Sequence, residues 1–215
     1  MAFSVEWTKD IKTLSEIYED CCRVGGIKPH FSKNDFVRRL TDENEELRAR
    51  LGRAVHVFDT GIGNYGSEHF LKLCFERNYL DRKLFSGLYL TVHTNARPYR
   101  YLTKQMITDM LKTIETPLLC DEAKTKYPEL PSEFRVYRGM RERPVDLDGC
   151  GYCWSLDERI THNFATGDDK IHGFLITGQV IKVDIFGYIL CRRENEIVID
   201  PRKVSKKTIA EVKPL

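Results

Sequence analysis

Between Phe134 and Pro201 the chain carries three short apolar runs, each broken by a polar residue where an apolar one is expected. They read Phe134-Arg135-Val136-Tyr137-Arg138-Gly139, Tyr152-Cys153-Trp154-Ser155-Leu156-Asp157 and Arg193-Glu194-Asn195-Glu196-Ile197-Val198-Ile199. Runs rich in Val, Ile, Phe and Tyr favour strands. An Arg, Ser or Glu buried on such a strand is costly unless it has a partner. Three strands that each carry one such residue are expected to converge on a polar ligand. Glu194 and Glu196 lie two apart, so a strand would place both on one face. Neighbouring carboxylates repel each other unless something cationic lies between them.

The 215 residues, 41% hydrophobic and 31% charged, are ample for a core and amount to one domain or a core domain with an extension. A net charge of +2 is not the basic footprint that dominates non-specific nucleic-acid binding, although a local patch can still hold a nucleic acid. The seven cysteines are odd in number and scattered, which reads as reduced thiols in a cytosolic protein. Met1 to Glu6 lacks the pattern of a secretion signal, and no run approaches the roughly 18 apolar residues of a spanning helix. The expectation is a cytoplasmic protein with no membrane partner, working in the cell that makes it or in a host that a phage has entered.

Along the chain, residues 8–24 and 32–51 have helical periodicity, the first ended by Gly25-Gly26 and the second opened by Ser32-Lys33-Asn34-Asp35. A short strand-like run, 54–58, precedes Gly61-Ile62-Gly63-Asn64-Tyr65-Gly66, which spells G-x-G-x-x-G, and a helix is expected over 67–79. A dinucleotide fold would need an acidic residue ending the next strand and further strand–helix units. Asp81 instead precedes the next strand-like run, 84–92, and no such alternation follows, so the glycines read as a flexible loop. Residues 98–115 form a helix whose face of Tyr101, Leu102, Met106, Ile107, Met110, Leu111 and Ile114 is read as core. Pro117, Pro128 and Pro131 mark 116–133 as a connector. The expected division is a mostly helical region, 1–130, and a mostly strand region, 131–215, with one helix near 157–165. Lys203, Lys206 and Lys207 are read as a solvated tail.

Tyr137-Arg138-Gly139, Trp154-Ser155-Leu156-Asp157 followed by Asn163-Phe164-Ala165, and Glu194-Asn195-Glu196 together resemble the motifs of the Arg-Ser-Glu class of mono-ADP-ribosyltransferases, which includes small cytoplasmic phage and bacterial members. The resemblance covers about residues 133–201. It implies an α+β chain whose C-terminal core is a split β-sandwich binding NAD, and transfer of ADP-ribose to an acceptor with loss of nicotinamide. It implies that Glu196 faces the ribose 2′-hydroxyl and the positive charge that builds in an oxocarbenium-like transition state. Glu194 would orient the acceptor, a protein arginine, through carboxylate–guanidinium contact. Arg138, with Gly139, would hold the NAD phosphates or adjoining ribose, and Ser155 would hydrogen-bond Glu196. Phe164 would pack on nicotinamide or fill the core, with the core role the commoner use of such a residue. Two departures stand out. Cys153 occupies the outer position of the second motif, and the loop 166–173 is short, so the N-terminal helices are expected to contribute to target choice.

The residues leave other readings open. The same fold can modify nucleic acid or hydrolyse NAD, or serve as a non-catalytic binding module. Arg138 can be a strand-end surface residue, Glu194 and Glu196 can face solvent from an edge strand, and Ser155 can cap the following helix. Cys150, Cys153, Cys191 and His162 invite a zinc site, but a second close-spaced ligand pair is missing, so no metal is expected.

Overall fold

The computed structural model describes Glu16, Glu19, Arg23 and residues 66–78, 80, 82–95, 101–167, 172–190 and 194–214, the side chains at 84, 94 and 95 excepted. The expected helices over 8–24 and 32–51, the strand 54–58 and the glycine loop before Gly66 lie outside the described residues, apart from helical positions at Glu16, Glu19 and Arg23. Within them the protein is α+β, with five α-helices and a mixed seven-stranded sheet. The chain divides into two compact units, Met1–Ile114 and Glu115–Leu215. No described helix is long and apolar enough to cross a membrane.

The described part of the first unit is helical: α1 (Gly66–Glu76), α2 (Arg82–Asn95) and α3 (Lys104–Thr113). The run 84–92, expected as a strand, is the middle of α2. Phe85, Leu88, Tyr89 and Val92 are all buried, and their spacing of i, i+3, i+4, i+7 is one helix face, not strand alternation. Thr103 caps α3 by accepting from the Met106 N–H. Ile107, Met110, Leu111 and Ile114 are buried as expected of that face, whereas Tyr101 lies ahead of the helix and is exposed. Two long-range contacts tie the helices together. Arg82 donates through Nε and Nη2 to the Ile114 carbonyl, at 3.1 and 2.7 Å, satisfying an orphan at the C-terminus of α3. The buried Glu68 carboxylate accepts from the backbone N–H groups of Tyr101 and of Leu102, the latter at 2.6 Å.

The second unit holds the sheet. Its strands are β1 (Leu118–Leu119), β2 (Glu133–Met140), β3 (Cys153–Ser155), β4 (Gly173–Ile181), β5 (Gly187–Ile189), β6 (Glu196–Val198) and β7 (Ser205–Val212). Helices α4 (Asp121–Lys126) and α5 (Glu158–Thr166) complete it. The strand order is β1-β5-β6-β3-β2-β4-β7, with β1 parallel to β5 and the other pairs antiparallel. The expected connector 116–133 therefore contributes β1 and α4 to this unit. The lysines near the C-terminus are no loose tail either, since Lys206 and Lys207 lie on β7. The largely buried Lys207 pairs with Asp148 and donates to the Pro201 carbonyl at 2.7 Å. Trp154, Val136, Ile176, Ile197, Val198 and Ile199 are among the buried core residues.

Candidate functional site

The sheet is nearly two sheets. β2 pairs with β4 along its whole length, but with β3 through a single residue pair, Tyr137–Ser155. One half is β1-β5-β6-β3, the other is β2-β4-β7, and this pair is their join. Directly paired residues of antiparallel strands present their side chains on the same face. Glu196, Ser155, Tyr137, Thr177 and Thr208 are successive partners across β6, β3, β2, β4 and β7. They make one polar row across the join. Its burial deepens in one direction, from exposed Thr208 through half-buried Thr177 and Tyr137 to Ser155 and Glu196, both only 4% exposed. One step along the strands the neighbours are mostly apolar: Tyr188, Ile197 and Trp154 in one half, Ile176 and Ile209 in the other.

Two of the expected site residues, Ser155 and Glu196, are thus direct cross-strand partners. The hydrogen bonds of the Ser155 hydroxyl are not the one expected. Ser155 Oγ donates to the backbone carbonyl of Glu194 at 2.5 Å and accepts from the Asp157 N–H at 2.9 Å. Leu156 N–H donates to the Asn195 carbonyl at 3.0 Å. The exit of β3 is therefore stitched to the turn that enters β6, and Ser155 holds the backbone of the Glu194–Glu196 segment, not the Glu196 carboxylate. Nor does Ser155 cap α5; Asp157 does, accepting from the N–H groups of Arg159 and Ile160 at 2.9 and 3.2 Å. β6 begins at Glu196, and Asn195 adopts a left-handed φ of +46°. Asn tolerates that region better than most residues. Strand alternation therefore does not reach Glu194, which stands in the turn, half-buried, and not on a shared strand face with Glu196.

Arg138 follows Tyr137, so alternation sends its side chain to the opposite face of β2 from the polar row. Its Nη1 donates to the Cys153 carbonyl, which braces β3 against β2 beside their single pair. Gly151 has φ +99°, and a Cβ there would come within 2.9 Å of Arg138 Nη2, so glycine both allows the turn and leaves the guanidinium room. Arg138 Nε is buried with no hydrogen-bond partner among the described residues. Cys150 lies near the same cation. Burial pushes its thiol above the ordinary value, against the pull of Arg138 and Lys207.

Gly139 and Phe164 take different parts from those expected. A Cβ on Gly139 would lie 2.0 Å from the Thr161 carbonyl oxygen and 2.7 Å from the Ala165 N, so its bare backbone is what lets α5 pack on β2. Phe164 points away from that contact and is 52% exposed, which removes it from the core. Thr161 and Ala165 are the residues that α5 buries there. Cys74, Cys120, Cys150 and Cys153 are free thiols. Cys150, Cys153 and His162 do not form a three-ligand cluster among the described residues, and Cys191 lies outside them. Sequence reading overlooked Tyr137, Thr177 and Gly151. The signal for Tyr137 was present, as a polar-tipped aromatic beside Arg138, but only the register shows that it faces Ser155.

No family model, no curated protein and no solved structure matches the chain.

Proposed function

We propose that the chain is a mono-ADP-ribosyltransferase that moves ADP-ribose from NAD to a protein arginine and releases nicotinamide. The observation that carries this is the buried carboxylate of Glu196, set in register with Ser155 at the single-pair join between two half-sheets. On this reading the half-sheets are the two parts of a split β-sandwich, and NAD is the substrate laid across their join. The bond from ribose C1′ to nicotinamide breaks, and its electron pair leaves with nicotinamide. A fixed carboxylate in a water-poor site stabilises the positive charge that develops on the ribose. Glu196 has that setting. A guanidine nitrogen of the acceptor then bonds to C1′ and gives up a proton. Glu194, in the turn ahead of β6 and off the strand that carries Glu196, is given the acceptor on this reading, orienting that guanidine and taking the proton.

Arg138, expected at the NAD phosphates, lies on the opposite face of β2 from Glu196 and braces β3 through the Cys153 carbonyl, so on this reading it supports the join and is not given the diphosphate contact. Phe164, exposed on α5, is available to stack on nicotinamide. The reaction would run in the cytoplasm of the producing cell or of a phage-infected host. The test separates the two carboxylates. With labelled NAD and a cell lysate, Glu194→Gln is expected to retain nicotinamide release and to lose transfer to protein. Equal loss of both would remove Glu194 from the acceptor role.

A further inference from the structure

We infer that Tyr137 is a substrate-contacting residue of this site, its phenol donating a hydrogen bond to the ribose of the bound nucleotide; this rests on the reading of the site as one for NAD. Three observations converge on it. First, Tyr137 is the only residue of β2 paired with β3, and it lies in the polar row directly beside Ser155. Second, the Ser155 proton is committed to the Glu194 carbonyl at 2.5 Å, and its lone pair to the Asp157 N–H. Ser155 thus has no donor left for a substrate hydroxyl without unstitching β3 from the turn before β6. Third, the Tyr137 hydroxyl makes no hydrogen bond among the described residues, and the residue is half-buried, where the row passes from the more open threonines to the buried carboxylate.

Adjacent strands lie about 4.8 Å apart, so Tyr137 and Glu196, two strands apart, are separated by roughly 10 Å of backbone, a gap that a ribose can span between the two side chains. α5 packs on the same face over Gly139, the next residue along β2 on that side, and so borders the row at Tyr137 without replacing it. A phenol in such a place is a neutral donor with an aromatic body, and it can both bound the ribose and hydrogen-bond it.

The experiment compares wild type, Tyr137→Phe and Tyr137→Leu, full length, in nicotinamide release from NAD with a small guanidine as acceptor, together with NAD titration and thermal unfolding. A neutral hydrogen bond made equally in the ground and transition states contributes to KM and not to kcat. Tyr137→Phe is expected to raise KM for NAD about fivefold, to leave kcat within about twofold, and to unfold at the wild-type temperature. Tyr137→Leu is expected to weaken NAD binding further, because it also removes the ring. If Tyr137→Phe leaves KM unchanged in an active enzyme, or lowers the unfolding temperature without moving KM, the inference is overturned while the site reading stands. If wild type neither binds nor cleaves NAD, the site reading itself fails and takes this inference with it.

Discussion

Ser155 joins three parts of the chain through one hydroxyl. It donates to the carbonyl of Glu194 and accepts from the N–H of Asp157, while its strand pairs with both Glu196 and Tyr137. Removing the hydroxyl leaves a carbonyl and an N–H without that partner in a buried place, and an orphaned buried group costs about 1–3 kcal/mol. Ser155→Ala is therefore expected to lower the free energy of unfolding by that amount, read on the full chain as a lower urea midpoint with an unchanged slope. An unchanged midpoint would show that the stitch contributes nothing. Gly139 and Gly151 make the complementary point. Each stands where a side chain would collide, the first with the backbone of α5 and the second with Arg138. A sequence marks both as glycines but does not tell which neighbour excludes the Cβ. That is why Gly139 reads as part of a binding motif before the structure shows it as a packing contact.

At the scale of elements, legibility followed period and length. β2, β3, β6 and α5 were visible because short β-branched and aromatic runs alternate with turn residues, and because Asp157 precedes a helical pattern. α2 was misread, since Leu84 to Val92 looks like an apolar run until the i, i+3, i+4, i+7 spacing of Phe85, Leu88, Tyr89 and Val92 is counted. β1 and α4 were missed because three prolines nearby read as a connector. In the first unit, α1 presents His69 against the Tyr101 ring at a centroid distance of 4.4 Å. Burial holds the His69 imidazole below its ordinary pKa, opposed in part by the Glu68 carboxylate, so the fold favours the neutral ring. The stability this gives is fully present above the unfolded value of about 6.5 and is lost as pH falls through the lower folded value. Between pH 7 and pH 5 the unfolding temperature of the wild type should therefore fall more than that of His69→Phe, which keeps a ring against Tyr101. Equal slopes in the two proteins would count against it.

For the whole molecule, some residues of the candidate site were legible and their arrangement was not. Arg138, Ser155 and Glu196 could each be picked out as polar groups on apolar strands. Which strands pair, and in what register, depends on contacts far apart in sequence, and a shift of one residue moves a side chain to the other face. The register puts Tyr137, not Arg138, beside Ser155, and the left-handed Asn195 takes Glu194 off the strand that carries Glu196. Glu196 sets a buried carboxylate one strand from the join of the two half-sheets, and the proposed function gives it the developing charge of the ribose. The most direct test incubates full-length protein, wild type and Glu196→Gln, with labelled NAD and a cell lysate. It follows both nicotinamide release and label on protein. The predicted result is release and labelling by wild type, with both reduced at least about a hundredfold in Glu196→Gln, the scale of losing one preorganised electrostatic group. Intact NAD with wild type, or equal activity in Glu196→Gln, would contradict it.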